Sequence, residues 1–142
     1  MPTLFTRIIN GEIPGRFVWR DEDVVAFLTV GPLADGHTLV VPVEEVDRWT
    51  DADPQTWSRV MDVAQKIGAV QVATFGAARA GLLVAGYEVN HLHVHVWPSN
   101  TMADYDFASV DNNPDPAQLD ANAEKLREGL RAAGYSESVP AE

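Results

Sequence analysis

The sequence predicts an α+β fold in which two main helices pack on one antiparallel sheet of five strands. The strand-like segments are short, and the polar turn Asp21-Glu22-Asp23 joins the first two. Two longer segments carry apolar residues at helical spacing, and each opens with an Asp-Pro pair. Strands grouped together, two helices and short connections are typical of an α+β fold.

The first part of the chain is predicted to form a helical turn and three strands. Residues 5–9 form the turn, and Asn10, Gly11 and Pro14 end it. Two strands follow at 17–19 and 24–28, where apolar and aromatic residues are concentrated. A third strand is predicted over 37–43 and is opened by Gly36.

A long helix is predicted to start at Asp53 as N-cap, with Pro54 at its first helical position. Its apolar stripe consists of Trp57, Val60, Met61, Ala64, Ile67 and Gly68. Residues 76–81 break this pattern, and strands are predicted over 82–89 and 92–97, the second closed by Pro98.

The second helix is predicted from Asp115 and Pro116, by the same capping argument, to Gly134. Its inward face carries Leu119, Ala123, Leu126 and Leu130. With no internal repeat or linker, residues 1–142 are interpreted as one domain.

Composition restricts the classes of function. The formal net charge of −11 disfavours binding to nucleic acid or to an anionic membrane, but it allows a small nucleotide in a pocket. No apolar run is long enough to suggest a membrane span, and the N-terminus lacks the layout of a secretory signal. The chain has no cysteine, so disulfides and a thiolate nucleophile are excluded. A cytoplasmic protein is expected.

All four histidines of the chain fall in two segments. His91, His93 and His95 alternate with apolar residues, and His37 opens the third predicted strand. Side chains alternate between the faces of a strand, so the three closely spaced histidines are predicted to share one face. The opposite face would carry Leu92, Val94 and Val96.

Three chemical interpretations of this cluster compete. A metal site is disfavoured because alternate strand residues lie about 6.6 Å apart, whereas a zinc–nitrogen bond is only about 2.0–2.1 Å. Two of these histidines with His37 remain an open ligand set, although no cysteine or carboxylate is placed to help. A purely structural polar face leaves unexplained why every histidine takes part.

Covalent catalysis by a histidine is the interpretation that uses all four residues. Crowded imidazoles lower one another's pKa, which keeps the central ring neutral and nucleophilic near pH 7. Attack of an imidazole on phosphorus gives a phosphoramidate that water then opens.

Residues 91–97 resemble the signature of the histidine triad (HIT) family, His-x-His-x-His followed by apolar residues. Segments 5–14, 24–28 and 36–42 resemble the family's opening segment, its next strand and the segment carrying its fourth histidine. Ala85 and Gly86 precede the triad at the family's spacing. The resemblance covers roughly residues 4–98, and 99–142 form a C-terminal extension with a helix.

This resemblance implies a HIT-like fold and a homodimer whose subunits extend one sheet across their interface. It implies hydrolysis at the α-phosphorus of a nucleoside phosphoramidate or related nucleotidyl compound. His93 would attack phosphorus while its other ring nitrogen donates to the carbonyl of His91. His95 would bind the phosphate and assist the leaving group or water, with His37 and His91 as a supporting layer. The transferase branch carries glutamine at the position of His95, so this histidine favours hydrolysis.

The resemblance also implies an apolar pocket for a purine nucleotide. By position in the family pattern, its lining consists of Leu4, Phe5, Ile8, Phe27, Leu28 and Val30. For Phe5 and Phe27, burial preferences favour ordinary core packing equally well.

Three further candidate substrate-binding residues depart from the family pattern. Thr29 stands where the family has an aspartate that grips the ribose hydroxyls, and it offers one hydroxyl only. Tyr87 and Glu88 stand where the family often has glutamine and serine or threonine. An ionised Glu88 would repel a phosphate, unless it pairs with a cationic amine leaving group or orients His37 or His91.

The predicted function is therefore a HIT-type nucleotidyl hydrolase that needs no cofactor or catalytic metal. Branches of the family with an N-terminal cysteine pair bind structural zinc, and this chain has no cysteine. The alternative is a nucleotide-binding regulatory protein with little or no turnover, which the departures at Thr29, Tyr87 and Glu88 favour.

Overall fold

The computed structural model describes residues 1–142 and contains one five-stranded antiparallel sheet with three α-helices, two of them long. The elements are α1 (Leu4–Ile9), β1 (Phe17–Arg20), β2 (Val24–Leu28), β3 (Thr38–Pro42), α2 (Pro54–Phe75), β4 (Arg79–Leu83), β5 (Val94–Ser99) and α3 (Pro116–Ala132). The strands lie in the order β1-β2-β3-β5-β4. The predicted fold class is confirmed. None of the helices combines the length and apolar character that a membrane crossing requires.

Both long helices begin where their sequence signals predict. The side chain of Asp53 accepts a hydrogen bond from the backbone of Gln55 at the start of α2, and Asp115 caps α3 in the same way. Gly76 ends α2 in the left-handed conformation, with φ of 64°.

The two faces of the sheet carry different layers. Helices α2 and α3 cover one face, where the apolar side chains of α3 pack in the same core as those of α2. Residues after 99 therefore contribute to the main core. The short helix α1 covers the other face, against Phe17, Phe27 and Leu39.

The fourth strand is not where the sequence predicts it. The predicted bounds of both strands, 82–89 and 92–97, are wrong. The first strand, β4, spans Arg79–Leu83, the second, β5, spans Val94–Ser99, and residues 84–93 between them form an irregular segment. Gly81 lies inside β4, opposite Trp97. A Cβ at this position would come within 2.6 Å of the Trp97 ring, so only glycine lets the ring pack this closely. This glycine permits close packing and does not break the strand.

Strand β5 continues through Pro98, which was predicted to end it. The strand pairs with β3 only over Val94–Val96, so the missing N–H of Pro98 removes no hydrogen bond to β3. Pro98 lies opposite Ala80 of β4.

Candidate active site

The four histidines converge on one end of the sheet, although only one of the three closely spaced histidines lies within a strand. His95 belongs to β5, whereas His91 and His93 lie in the irregular segment before it. The strand therefore begins after His93, but the prediction of a shared side holds: Phe5 packs on His91 and His93, His93 packs on His95, and Val94 and Val96 lie in the core on the opposite face. The ring centroids of His93 and His95 lie 5.1 Å apart, and those of His37 and His95 lie 5.2 Å apart.

His93 presents one free ring nitrogen. Its Nδ1 lies 2.7 Å from the backbone oxygen of His91, as predicted. A carbonyl can only accept, so Nδ1 carries the hydrogen and Nε2 of the neutral ring keeps its lone pair. Nε2 has no partner in the protein, yet it is not among the buried polar atoms that lack one. It is accessible to a substrate.

His37 determines the hydrogen position on His95. The backbone N–H of Leu33 donates to Nδ1 of His37 (3.0 Å), so the hydrogen of a neutral His37 ring is on Nε2. That Nε2 lies 3.0 Å from Nδ1 of His95 and donates to it. The hydrogen of His95 is therefore on Nε2.

His91 is completely buried, and both its ring nitrogens are bound. Nε2 donates to the carbonyl of Pro42 (2.7 Å), and Nδ1 accepts from the hydroxyl of Thr3 (2.6 Å). The two supporting histidines thus act separately: His37 contacts His95, and His91 supports His93 through its carbonyl.

Burial keeps the reacting rings neutral at pH 7. Loss of solvent lowers the pKa of His37 to about 3, and the charge of His95 adds to this effect. Burial and the neighbouring His93 lower the pKa of His95 to about 4. The pKa of His93 is also lowered by burial, while its bond to His91 and the charge of Glu88 oppose the shift.

A cavity of about 200 Å³ opens beside His93 and His95. Its lining includes eight of the nine residues predicted to bind substrate: Leu4, Phe5, Ile8, Phe27, Leu28, Thr29, Val30 and Glu88. The ring of Phe5 lies 4.9 Å from that of His93 and 5.5 Å from that of Phe27. Phe5 of α1 thus contacts both the apolar wall of the cavity, at Phe27, and the ring of His93.

Tyr87 is the ninth residue, and the structure does not bring it to the cavity, because its side chain is 95% exposed. The prediction that Glu88 orients His37 or His91 is wrong, since the hydrogen bonds of both rings go to other groups. Thr29 accepts from the backbone of Gly31 (3.1 Å), which leaves its hydroxyl hydrogen free to donate.

Sequence reasoning did not assign two residues around the site, Phe107 and Gly15. The ring of Phe107 packs edge-on against His95 (5.1 Å) and His37 (6.1 Å). No periodic pattern surrounds Phe107, so no local signal identifies it. Gly15 lines the cavity, and a Cβ there would come within 2.7 Å of Ile8. Its place directly after Pro14 was the available signal.

The structure contains no group of three or more histidine, aspartate or glutamate side chains that could hold a metal ion. Both ring nitrogens of His37 are engaged, by Leu33 and by His95. The ligand set left open for His37 is therefore not assembled.

A sequence model of the HIT domain matches residues 10–102, and this match covers all four histidines. The chain belongs to the HIT family. An uncharacterized HIT-like protein of Methanocaldococcus jannaschii is 37% identical over 99 residues, which are 67% of this chain and 77% of the relative. The adenosine 5'-monophosphoramidase of Saccharomyces cerevisiae is 28% identical over 96 residues, covering 67% of this chain and 61% of the yeast protein.

Solved structures agree with this membership in the HIT family. The crystal structure of a Hit-like protein from Bartonella henselae is 30% identical and matches with a TM-score of 0.77, over 89% of this chain and 95% of that one. A histidine triad protein from Sulfolobus tokodaii, 26% identical, also has a TM-score of 0.77, over 90% and 91% of the two chains. The HIT-like fold is confirmed.

Proposed function

We propose that this HIT protein hydrolyses a nucleoside phosphoramidate or related nucleotidyl compound at its α-phosphorus, through a nucleotidyl intermediate on His93. One observation carries this proposal. The rings of His93, whose Nε2 keeps its lone pair, and of His95, whose Nε2 carries the hydrogen, lie 5.1 Å apart and both line the cavity beside Phe5 and Phe27. The phosphoramidase activity named for the yeast relative supports the same reaction class.

In the first step, Nε2 of His93 attacks phosphorus and the bond from phosphorus to the leaving nitrogen breaks. That nitrogen departs as an amine, with the proton that a phosphoramidate nitrogen takes up from solvent. His95 donates its Nε2 hydrogen bond to a phosphoryl oxygen, where negative charge accumulates. The positive charge on the His93 ring is stabilised at Nδ1–H by the carbonyl of His91.

In the second step, water attacks phosphorus and the bond from phosphorus to Nε2 of His93 breaks. The water proton passes to solvent, and His93 leaves as the neutral ring from which it began. Its Nδ1–H stays on the carbonyl of His91 throughout, so His93 needs no change of tautomer in either step.

The charge around the cavity favours an amine as leaving group. Glu88 lines the cavity next to His93, and the chain carries a formal net charge of −11. These charges attract a cationic amine and repel a polyphosphate. A phosphoramidate therefore suits the site better than a dinucleoside polyphosphate does.

Purified protein is expected to release AMP from adenosine 5'-phosphoramidate and from an AMP-lysine conjugate, without added metal. A dinucleoside polyphosphate is expected to be cleaved more slowly under the same conditions. Liquid chromatography of the products measures both reactions. Binding of AMP without release from any of these compounds would contradict the proposed hydrolase and support the regulatory nucleotide-binding alternative.

We further propose a homodimer that pairs through β4. This strand lies at the edge of the sheet, so one side of its backbone has no strand partner. Leu82 of β4 is 46% exposed and borders an apolar groove with Met61 and Val72 of α2. Sedimentation equilibrium is expected to give twice the chain mass, and Leu82→Lys to shift the equilibrium toward monomer. A wild-type monomer at assay concentrations would contradict the dimer.

A further inference from the structure

A hydrogen-bonded cluster joins the N-terminal segment to the histidines, and we call Thr3, Thr6, Glu45 and His91 the Thr3 cluster. The hydroxyl of Thr3 lies 2.6 Å from Nδ1 of His91. The backbone N–H of Thr3 donates to Oε1 of Glu45 (2.9 Å), and the hydroxyl of Thr6 donates to the same oxygen (2.5 Å). These bonds link residues more than 35 positions apart in the chain.

The directions of these hydrogen bonds follow from the acceptors. His91 Nε2 lies 2.7 Å from the carbonyl of Pro42, so it carries the ring hydrogen, and Nδ1 must accept. The single hydroxyl hydrogen of Thr3 is therefore given to His91. The Thr3 oxygen in turn accepts the backbone N–H of Thr6 (3.1 Å), which caps α1.

Glu45 holds this arrangement as a charged acceptor. The hydrogen bond from Thr6, followed by that from the Thr3 backbone, lowers the pKa of Glu45. An ionised carboxylate only accepts, so both Thr3 N–H and Thr6 O–H must point toward it. The Thr3 hydroxyl is thus left to His91.

The Thr3 cluster bears on His93 through the backbone. With both ring nitrogens bound and the side chain fully buried, His91 cannot rotate without breaking a hydrogen bond. The carbonyl of the same residue accepts Nδ1–H of His93 and sets the direction of its Nε2 lone pair. Phe5, two residues after Thr3, also packs against both rings.

We propose that Thr3 is a positioning residue for His93: its hydroxyl immobilises His91, and the carbonyl of His91 then aims the His93 nucleophile. This inference rests on the proposed hydrolase function for its kinetic part. Its structural part, the coupling of the Thr3 hydroxyl to the Nδ1–H of His93, stands independently of any substrate.

Thr3→Val, which removes the hydroxyl at nearly constant volume, is expected to lower kcat for adenosine 5'-phosphoramidate about tenfold, a larger factor than the rise in KM caused by loss of the α1 cap. Thr3→Ser is expected to restore kcat, because serine keeps the donor and the cap. The matched control is Thr56→Val, which likewise removes a threonine hydroxyl that donates a side-chain hydrogen bond, in this case to Glu44 outside the site. Its kcat is expected to equal that of wild type.

A capping role alone would give a different result. A frayed α1 would displace Leu4, Phe5 and Ile8 from the cavity wall, which raises KM and leaves kcat unchanged. That pattern in Thr3→Val would overturn the proposal.

Nuclear magnetic resonance tests the coupling without a substrate. In Thr3→Val, the ¹⁵N resonance of His91 Nδ1 is expected to move toward the value of an unbonded nitrogen, and the Nδ1 proton of His93 to exchange faster. An unchanged His93 proton despite the shift at His91 would overturn the proposal. If wild type hydrolyses no phosphoramidate while both resonances respond, the proposed function fails and the coupling stands.

Discussion

Replacing His93 with alanine is expected to lower kcat/KM for adenosine 5'-phosphoramidate by about 10⁴-fold or more, the scale of losses when a catalytic nucleophile is removed. The reason is that His93 is the one ring that offers a lone pair at the cavity. Nε2 of His95 carries a hydrogen, and both nitrogens of His37 and His91 are engaged inside the protein. No neighbouring ring can replace the nucleophile without changing its tautomer.

Mass spectrometry after a rapid quench checks this prediction directly. Wild type is expected to carry a nucleotidyl adduct on the peptide that contains His93, and His93→Ala to carry none. Binding of AMP to the variant, measured by calorimetry, is the control for an intact pocket. An adduct on another histidine, or full turnover by His93→Ala, would contradict the assignment of His93 as nucleophile.

Trp97→Ala is expected to lower the free energy of unfolding by about 3–5 kcal/mol, as large-to-small changes of buried aromatic residues do. The indole is completely buried, and its Nε1 donates to the carbonyl of Asp104 (2.9 Å). Its ring packs 5.5 Å from His37 and 5.3 Å from Phe107. The cavity left by the indole would open under the ring that sets the tautomer of His95.

Urea denaturation followed by circular dichroism measures this loss of stability. The matched control is Trp49→Ala, because Trp49 is 50% exposed and stacks on the half-buried ring of Trp57, away from His37. This control is expected to cost about 1 kcal/mol or less. Equal losses for Trp97→Ala and Trp49→Ala would show that burial beneath His37 does not determine the effect.

Much of the fold could be predicted because its signals are local. Strand β2 lies at 24–28 as predicted, and Asp53 and Asp115 each cap the helix that the Asp-Pro pair indicates. A capping side chain binds an N–H two residues away, so both partners are adjacent in the sequence. The cavity residues could be predicted from the family resemblance, since the family pattern records which positions meet in space.

The error at β4 has a longer-range cause. The apolar residues at 82–85 favour a strand there, but Gly81 pairs with Trp97 of β5 and packs against its ring, so the strand begins earlier. That contact joins residues 16 positions apart, and no window centred on β4 contains its partner's ring. In the sequence, Gly81 therefore looks like the end of a strand pattern, whereas in the sheet it permits close packing against Trp97.

By itself the sequence determined the fold class, the helix starts and the set of four histidines with their apolar pocket. The family resemblance implied the hydrogen position on His93, but tertiary structure alone decided which nitrogen carries the hydrogen in His37, His91 and His95. That choice depends on Leu33, Pro42 and Thr3, whose donors and acceptors reach His37 and His91 from other segments. A histidine has the same composition in both tautomers, so only the groups packed around it can select the nucleophile.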